Sequence, residues 1–426
     1  MVRLKKDLSS HPLVAVDMGR SAVRAMAAER TPDGLLRILG AESSNRHTCV
    51  ERGIITNTSN ASYSIVETLK LLANRIQCTE LNTVFVPLGG QSMRVVQVGP
   101  RKDYLHKVEI QQHMLDEIDK ECKQNILTRN PQGAVLGMIP ESYILDGVEQ
   151  IETPSPHQRA TKIQVKYSVF VGKKELEQKV DESFERTSKI IEHKYARPDA
   201  LLCALATEND LRDGCAILDM GAQTTTLTIF KGNRYLYNSV IPQGGADITR
   251  DITELGIPEK YAEYLKCNYA CALPELVEEN RTYRIPTEEK TVSLTAINLA
   301  NIVAGRLDQI LAPLLNELNA RSEDVSVIYI TGGASMLQGM VEYVQSMTQI
   351  PVMYGSHAAW LEGDTPDEMY APNYSSLIGT ILLGGMYRDA HPTAEPEHAL
   401  IKKISKIKTK VEEETLRIFS DTMDNY

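Results

Sequence analysis

Two stretches of this 426-residue chain repeat one pattern, and the repeat limits the possible folds more than any other feature. Leu13-Val-Ala-Val-Asp-Met-Gly-Arg-Ser21 and Cys215-Ala-Ile-Leu-Asp-Met-Gly-Ala-Gln-Thr224 each run an apolar strand into Asp-Met-Gly, a short polar turn and a second strand. Each copy then makes a further turn into a third strand: Thr31-Pro-Asp-Gly34 into Leu35–Leu39, and Lys231-Gly-Asn-Arg234 into Tyr235–Ile241. Two such units, about 200 residues apart, predict two lobes of like fold facing one ligand between them. A single Asp-x-Gly is an ordinary hairpin turn. Repeated, it suits phosphate and hydrated-metal binding: Gly lets the backbone approach, turn amides form anion-binding concavities, and Asp and Thr supply oxygen.

Two more glycine turns follow strands, Gly244-Gly245 after Ile241 and Gly332-Gly333 after Val325–Ile330. Together the four turns would surround a nucleoside triphosphate with backbone donors. Asp17 and Asp219 would then hold a hydrated Mg²⁺, which keeps several waters and takes one or two carboxylates.

Composition narrows the class. With 42% hydrophobic and 24% charged residues the chain reads as a soluble globular protein of two or more domains. No apolar run reaches the roughly 18 residues of a spanning helix, and the basic start has no apolar stretch behind it, so a cytosolic chain is expected. A net charge of −10 argues against nucleic acid as a partner. The seven cysteines lack a C-x-x-C pair, the nearest two being Cys267 and Cys271, and the nine histidines show no metal-ligand spacing. Reduced thiols and no zinc are expected.

Along the chain, Ser59 is expected to cap a helix running to Ile76, and Leu81–Pro87 to form a strand. From Gly89 to about Arg159 the texture changes. A strand at Ser92–Val98, a charged helix at Val108–Lys123, a hairpin of Ala134–Ile139 and Ser142–Val148 around Pro140, and a return strand at Lys162–Val171 suggest an inserted α+β subdomain. Lys174–His193 reads as a helix and Ile257–Ala320 as mainly helical, with a break near Pro313. The expected organisation is an arm at 1–12, a first lobe at 13–86 and 166–210, the insert at 87–165, a second lobe at 211–256 and 325–388, a helical subdomain at 257–324, a linker at 389–398 and a tail at 399–426.

In the tail, Leu400, Ile404, Ile407, Val411 and Ile418 lie within about 40° of one line on a helix, with Ile401 and Phe419 at its edge and Lys402 and Lys403 among the lysines opposite. Periodicity alone leaves a membrane-surface helix, a docked helix and a coiled coil open.

Several motifs carry a family resemblance: Asp17-Met-Gly-Arg-Ser21, Gly53-Ile-Ile-Thr-Asn57, Asp219 to Phe230, Ile241-Pro-Gln-Gly-Gly245 with Thr249 and Asp251, Glu263 with Lys266, Arg306, and Thr331-Gly-Gly-Ala-Ser-Met-Leu-Gln-Gly339. In these the chain, from Leu13 to Tyr387, resembles the actin-like ATPase superfamily and, within it, the FtsA family of bacterial cell-division proteins. The resemblance implies an α/β, actin-like two-lobed ATPase fold of duplicated ribonuclease-H-like domains with an inserted α+β subdomain (1C). It implies ATP and Mg²⁺ as cofactors. Asp17, Gly19, Arg20 and Ser21 would form the first phosphate loop, and Asp219, Gly221, Gln223, Thr224 and Thr225 the second, with Gly244 and Gly245 beside it. Glu263, Lys266 and Arg306 would serve the nucleoside side, and Gly332, Gly333, Ala334 and Met336 the adenosine loop. Asp17 and Asp219 would reach Mg²⁺ through water.

Also implied are a position on the cytoplasmic face of the membrane at the division site, anchored by the tail, and four partners. These are the FtsZ C-terminal tail on the helical subdomain, further copies of the chain in filaments, later division proteins on the 1C insert, and an anionic membrane surface. Departures from the family pattern at Arg20, Ala222, Gln223, Thr226 and Ala334 point to a binding switch rather than a fast hydrolase, because a Cβ narrows the backbone choices beside the phosphates. Rival readings are a sugar or acetate kinase, for which no acceptor motif is visible, and a PilM-like scaffold without a membrane tail.

Overall fold

The computed structural model describes residues 12–46, 49–155, 157–279, 281–287 and 291–391. The arm up to residue 11 and the tail, including Leu400, Ile401, Lys402, Lys403, Ile404, Ile407, Val411, Ile418 and Phe419, lie outside the described residues. One compact unit spans Met1–Leu383, and a second, Gly384–Tyr426, is described only to His391.

The chain opens with β1 (Leu13–Met18), β2 (Val23–Arg30), β3 (Leu36–Ser44), the short β4 (Val50–Glu51) and β5 (Ile54–Ile55), α1 (Thr58–Arg75) and β6 (Thr83–Leu88). Five of the six β1 residues are buried, as the continuous apolar run of a central strand requires. Asn57, not Ser59, caps α1, its Oδ1 accepting from the Asn60 amide at 2.9 Å.

The insert follows: β7 (Arg94–Val98), β8 (Arg101–Glu109), α2 (Gln112–Arg129), β9 (Gly133–Leu145), β10 (Glu149–Ile151) and β11 (Arg159–Lys173). Its sheet runs β10-β9-β11-β7 with β8 also paired to β11, and it has a core of its own beneath α2. Three expectations change here. The hairpin around Pro140 is one long strand, in which Pro140 sits beside a register shift between Lys166 and Tyr167 that accommodates a residue without an N–H. The helix begins at Gln112 rather than Val108, because β8 keeps pairing with β11 as far as Glu109. β11 itself passes unbroken through residue 165, where a boundary was expected.

The chain returns through α3 (Lys174–Glu185), β12 (Ile190–Ala196) and α4 (Arg197–Leu205). The helix expected over Lys174–His193 therefore stops early. Its β-branched Ile190 and Ile191 pair in parallel with β6 instead, so sheet pairing overrides helical periodicity. Next come α5 (Glu208–Asp213), β13 (Cys215–Met220), β14 (Thr225–Lys231), β15 (Arg234–Ile241), α6 (Gly245–Thr253), α7 (Glu259–Tyr269), the hairpin β16 (Thr282–Pro286) and β17 (Thr291–Thr295), and α8 (Ala296–Asn319). No break occurs at Pro313. Buried Ile310, Leu311, Leu314 and Leu315 hold α8 in the core on both sides of it. The last elements are β18 (Val327–Thr331), α9 (Met340–Ser346), β19 (Val352–Tyr354) and α10 (Ser375–Ala390).

The duplication expected from the repeated motif is visible in the sheets. The first is ordered β12-β6-β1-β2-β3 and the second β15-β14-β13-β18-β19. In each, three antiparallel strands continue into two parallel ones, and both read 3-2-1-4-5 by order of appearance. Each fourth strand is followed by a glycine pair, Gly89-Gly90 or Gly332-Gly333. One core runs from the first sheet into Cys215, Ile217, Phe230, Tyr235, Val327 and Tyr329 of the second. At this junction the Tyr235 ring meets Phe170 and Phe230 edge-on at 4.6 and 5.0 Å, and its hydroxyl donates to Asp199 at 2.6 Å. All seven cysteines are free thiols.

Candidate functional site: the cleft between the two sheets

A cleft of about 400 Å³ opens where the two Asp-Met-Gly turns face each other. The turns close in the same way: the Gly19 amide donates to Ala22 O at 3.0 Å and the Gly221 amide to Thr224 O at 2.8 Å. Of the residues singled out in the sequence, Asp17, Gly19, Arg20, Ser21, Asp219, Gly221, Gln223, Thr224, Gly245, Glu263, Lys266, Gly332, Gly333, Ala334 and Met336 line this cleft. Residues more than 300 positions apart thus meet in one cavity, as two facing lobes require.

Three residues do not line it. Thr225 is buried and its hydroxyl donates to Gln243 O at 3.0 Å. Arg306 is engaged by Asp251 through two hydrogen bonds of 2.6 Å. Gly244 lies behind the second turn, where a Cβ would come within 2.3 Å of Gly221 O. The start of α6 is tied to the turn, the Gly245 and Ala246 amides donating to Gly221 O at 3.0 Å and Ala222 O at 2.7 Å. Gln223 reaches the other lobe, accepting from the Arg52 amide at 3.0 Å.

On the α7 side, Lys266 donates to Glu263 at 2.7 Å, Thr249 Oγ1 at 2.9 Å and Gly245 O at 3.1 Å. Burial alone would raise the Glu263 carboxyl, but hydrogen bonds from Lys266 and Thr249 hold it below its ordinary value. Both residues lie on α7, and the Lys266 bonds to Thr249 and Gly245 O tie it to α6.

Sequence reading missed Arg197, the first residue of α4. Both oxygens of Asp17 accept from its guanidinium, Oδ2 from Nη1 at 2.8 Å and Oδ1 from Nη2, and Nη1 also reaches Ser376 Oγ of α10 at 3.2 Å. Burial pushes the Arg197 pKa down, but the charge and hydrogen bonds of Asp17, with the charge of Asp219, outweigh it and raise the value. Asp219 differs: burial raises its carboxyl above the usual range, the Arg197 charge opposing this and the Asp17 charge adding to it. The only trace of Arg197 in the sequence is a lone cation between an edge strand and a buried helix, before Pro198.

The lining can be tested against the expected cofactors. It carries four cations (Arg20, Arg24, Arg197, Lys266) against three carboxylates (Asp17, Asp219, Glu263), in a chain that is acidic as a whole. Arg20 Nη1 and Asn373 Oδ1, both on lining residues, are buried with no hydrogen-bond partner. An excess of positive charge and orphaned polar atoms fit an anionic, hydrogen-bonding ligand such as a nucleotide. They do not fit a hydrated Mg²⁺ shared by Asp17 and Asp219, because both Asp17 oxygens are committed to Arg197. Among the described residues no group of three or more His, Cys, Asp or Glu side chains is placed to hold a metal.

Comparison with known proteins agrees with this geometry. The family model for "Cell division protein FtsA" matches residues 216–379. The FtsA of Pseudomonas aeruginosa is 26% identical over 386 residues, covering 88% of this chain and 90% of that protein. Among solved structures, a chain of a PilM–PilN type IV pilus biogenesis complex superimposes with a TM-score of 0.60 at 16% identity, covering 87% of this chain and 98% of its own. MreB5 of Spiroplasma citri bound to AMPPNP does so at 0.50 and 13% identity, covering 90% and 99%. The chain has the actin-like fold of these structures, and its sequence is similar to the FtsA cell-division proteins.

Proposed function

We propose that this is an actin-like cell-division protein that binds ATP between its two lobes, assembles with further copies of itself, and tethers FtsZ filaments to the cytoplasmic face of the membrane. The observation that carries the reading is the cleft: two matched Asp-Met-Gly turns on two sheets of the same order, facing a cavity with an excess of positive charge. Arg20, the turn amides and Thr224 would take the phosphates, Gly332 to Met336 the adenine side, and Glu263 with Lys266 the ribose. Ala222 and Gln223 beside the phosphates, with Gln223 bonded across the cleft, support slow hydrolysis and a role as a binding switch. The relatives' name supports the division role. The helical subdomain would receive the FtsZ tail, the insert the later division proteins, and the amphipathic tail an anionic membrane surface.

Three measurements test this. AMPPNP should bind the full chain in calorimetry, and no binding would remove the nucleotide. Immobilised FtsZ tail peptide should retain the protein; failure would favour the second reading, a scaffold of a membrane machine, which the fit to a PilM chain supports. Anionic liposomes should co-sediment the full chain but not a truncation after Asp389, and equal sedimentation would remove the tail anchor.

A further inference from the structure

We infer that Arg197 takes over the charge-neutralising role of a divalent cation, so that the cleft binds a nucleotide polyphosphate without metal. The inference rests on the nucleotide reading above, and asks which group balances the carboxylates beneath the phosphates. Two carboxylates at the floor of a cleft repel a polyphosphate unless a cation lies between them, and a bound metal would otherwise supply it. Here the cation belongs to the chain.

Three observations place it. First, Arg197 is built into the floor rather than lying on the surface: its side chain is 23% exposed, it joins α4 to the end of β1 and to α10, and it faces Asp219 electrostatically. Second, a guanidinium has five N–H donors in a fixed fork, and Asp17 and Ser376 account for three of them. The Nε–H and one Nη2–H remain on a residue that lines the cleft, and paired guanidinium donors of this kind can take two phosphate oxygens. Third, the backbone makes room for it. A Cβ at Gly89 would lie 2.9 Å from Arg197 Nε, so the glycine after β6 is what lets the guanidinium cross to Asp17. With Arg197 in place, a metal at Asp17 would have to displace a bidentate ion pair and would then sit beside a fixed positive charge.

The test is AMPPNP binding to the full chain by calorimetry, in excess EDTA and in millimolar Mg²⁺. The expected dissociation constants agree within about threefold. Arg197→Met should lose tenfold or more in EDTA and recover most of that loss in Mg²⁺, since Asp17 is then free to bind the hydrated ion. Arg197→Lys keeps a charge without the fork and should fall between the two. If wild type loses more than about thirtyfold in EDTA while Mg²⁺ restores it, the inference is overturned and the nucleotide reading stands. Equal binding by wild type and Arg197→Met in EDTA also overturns it. No binding in either buffer overturns both. The wild-type comparison needs no variant to fold, and thermal unfolding of each variant separates misfolding from lost contacts.

Discussion

Asp17 and Asp219 stand at equivalent places, each at the end of the first strand of its sheet and close to the glycine pair after the fourth. Around Asp17 the room left by Gly89 is filled by Arg197, and the carboxylate is bonded through both oxygens. Around Asp219 the matching glycine, Gly332, leaves room for the carboxylate itself: a Cβ there would lie 2.6 Å from Asp219 Oδ1 and 2.5 Å from Met220 O. Asp219 is half-buried without a bidentate partner, and its pKa is raised. One local sequence therefore yields a turn whose carboxylate is hydrogen-bonded to Arg197 and one whose carboxylate feels only its charge. The difference comes from what the strands deliver, a cation from β12–α4 in one sheet and a short 3-10 turn at Gly333–Met336 after β18 in the other.

The largest expected effect comes from cutting the two carboxylates separately. Asp17→Ala leaves a largely buried guanidinium without its partner and should cost roughly 3 kcal/mol in urea unfolding. Asp219→Ala should cost nothing at pH 8 or stabilise slightly, because a carboxyl whose folded pKa is raised is disfavoured as an anion above that pKa. Equal losses at both sites would break the comparison.

The same helix start reaches the second lobe through Asp199, two residues after Arg197, whose partner is Tyr235. Burial pushes the Asp199 carboxyl up to about 7, the Tyr235 hydrogen bond opposing. Between its unfolded value, about 3.9, and this folded one, the native state holds a proton that the unfolded chain has released. The stability this contributes is complete below about pH 4 and is lost as pH rises through 7. Asp199→Asn should remove that slope from unfolding free energies measured from pH 4 to 8; an unchanged slope would assign it to other groups.

A smaller contrast lies in the glycines. Gly332→Ala combines φ +87° with backbone contacts and should cost about 2 kcal/mol. Gly89→Ala meets the Arg197 side chain, which can shift, and should cost about 1 kcal/mol while weakening nucleotide binding more than stability. The smallest effect is expected from Gln223→Ala. It removes one exposed hydrogen bond across the cleft, worth about 0.5–1 kcal/mol, and should appear as faster amide exchange at Arg52 with global stability unchanged.

Legibility in the sequence divided along physical lines. The Asp-Met-Gly repeat, its following strands and the glycine turns were readable because each is a local device: apolar alternation, a turn residue, a strand-end carboxylate. Together they specified two like lobes and most of the cleft lining. Helix and strand limits were misread where pairing with a distant strand decided them, as at Ile190–Ala196 and along β9 past Pro140.

By itself, then, the sequence determined that two matched turns exist and that each ends in a carboxylate. The tertiary structure alone decided that Arg197 reaches Asp17 while Asp219 is left without such a partner, that Arg306 and Thr225 are engaged elsewhere, and that Gly244 packs behind a turn. Charge neutralisation depends on distance across the fold. Asp17 and its neutralising cation lie 180 residues apart along the chain, and no local pattern records which carboxylate that cation will meet.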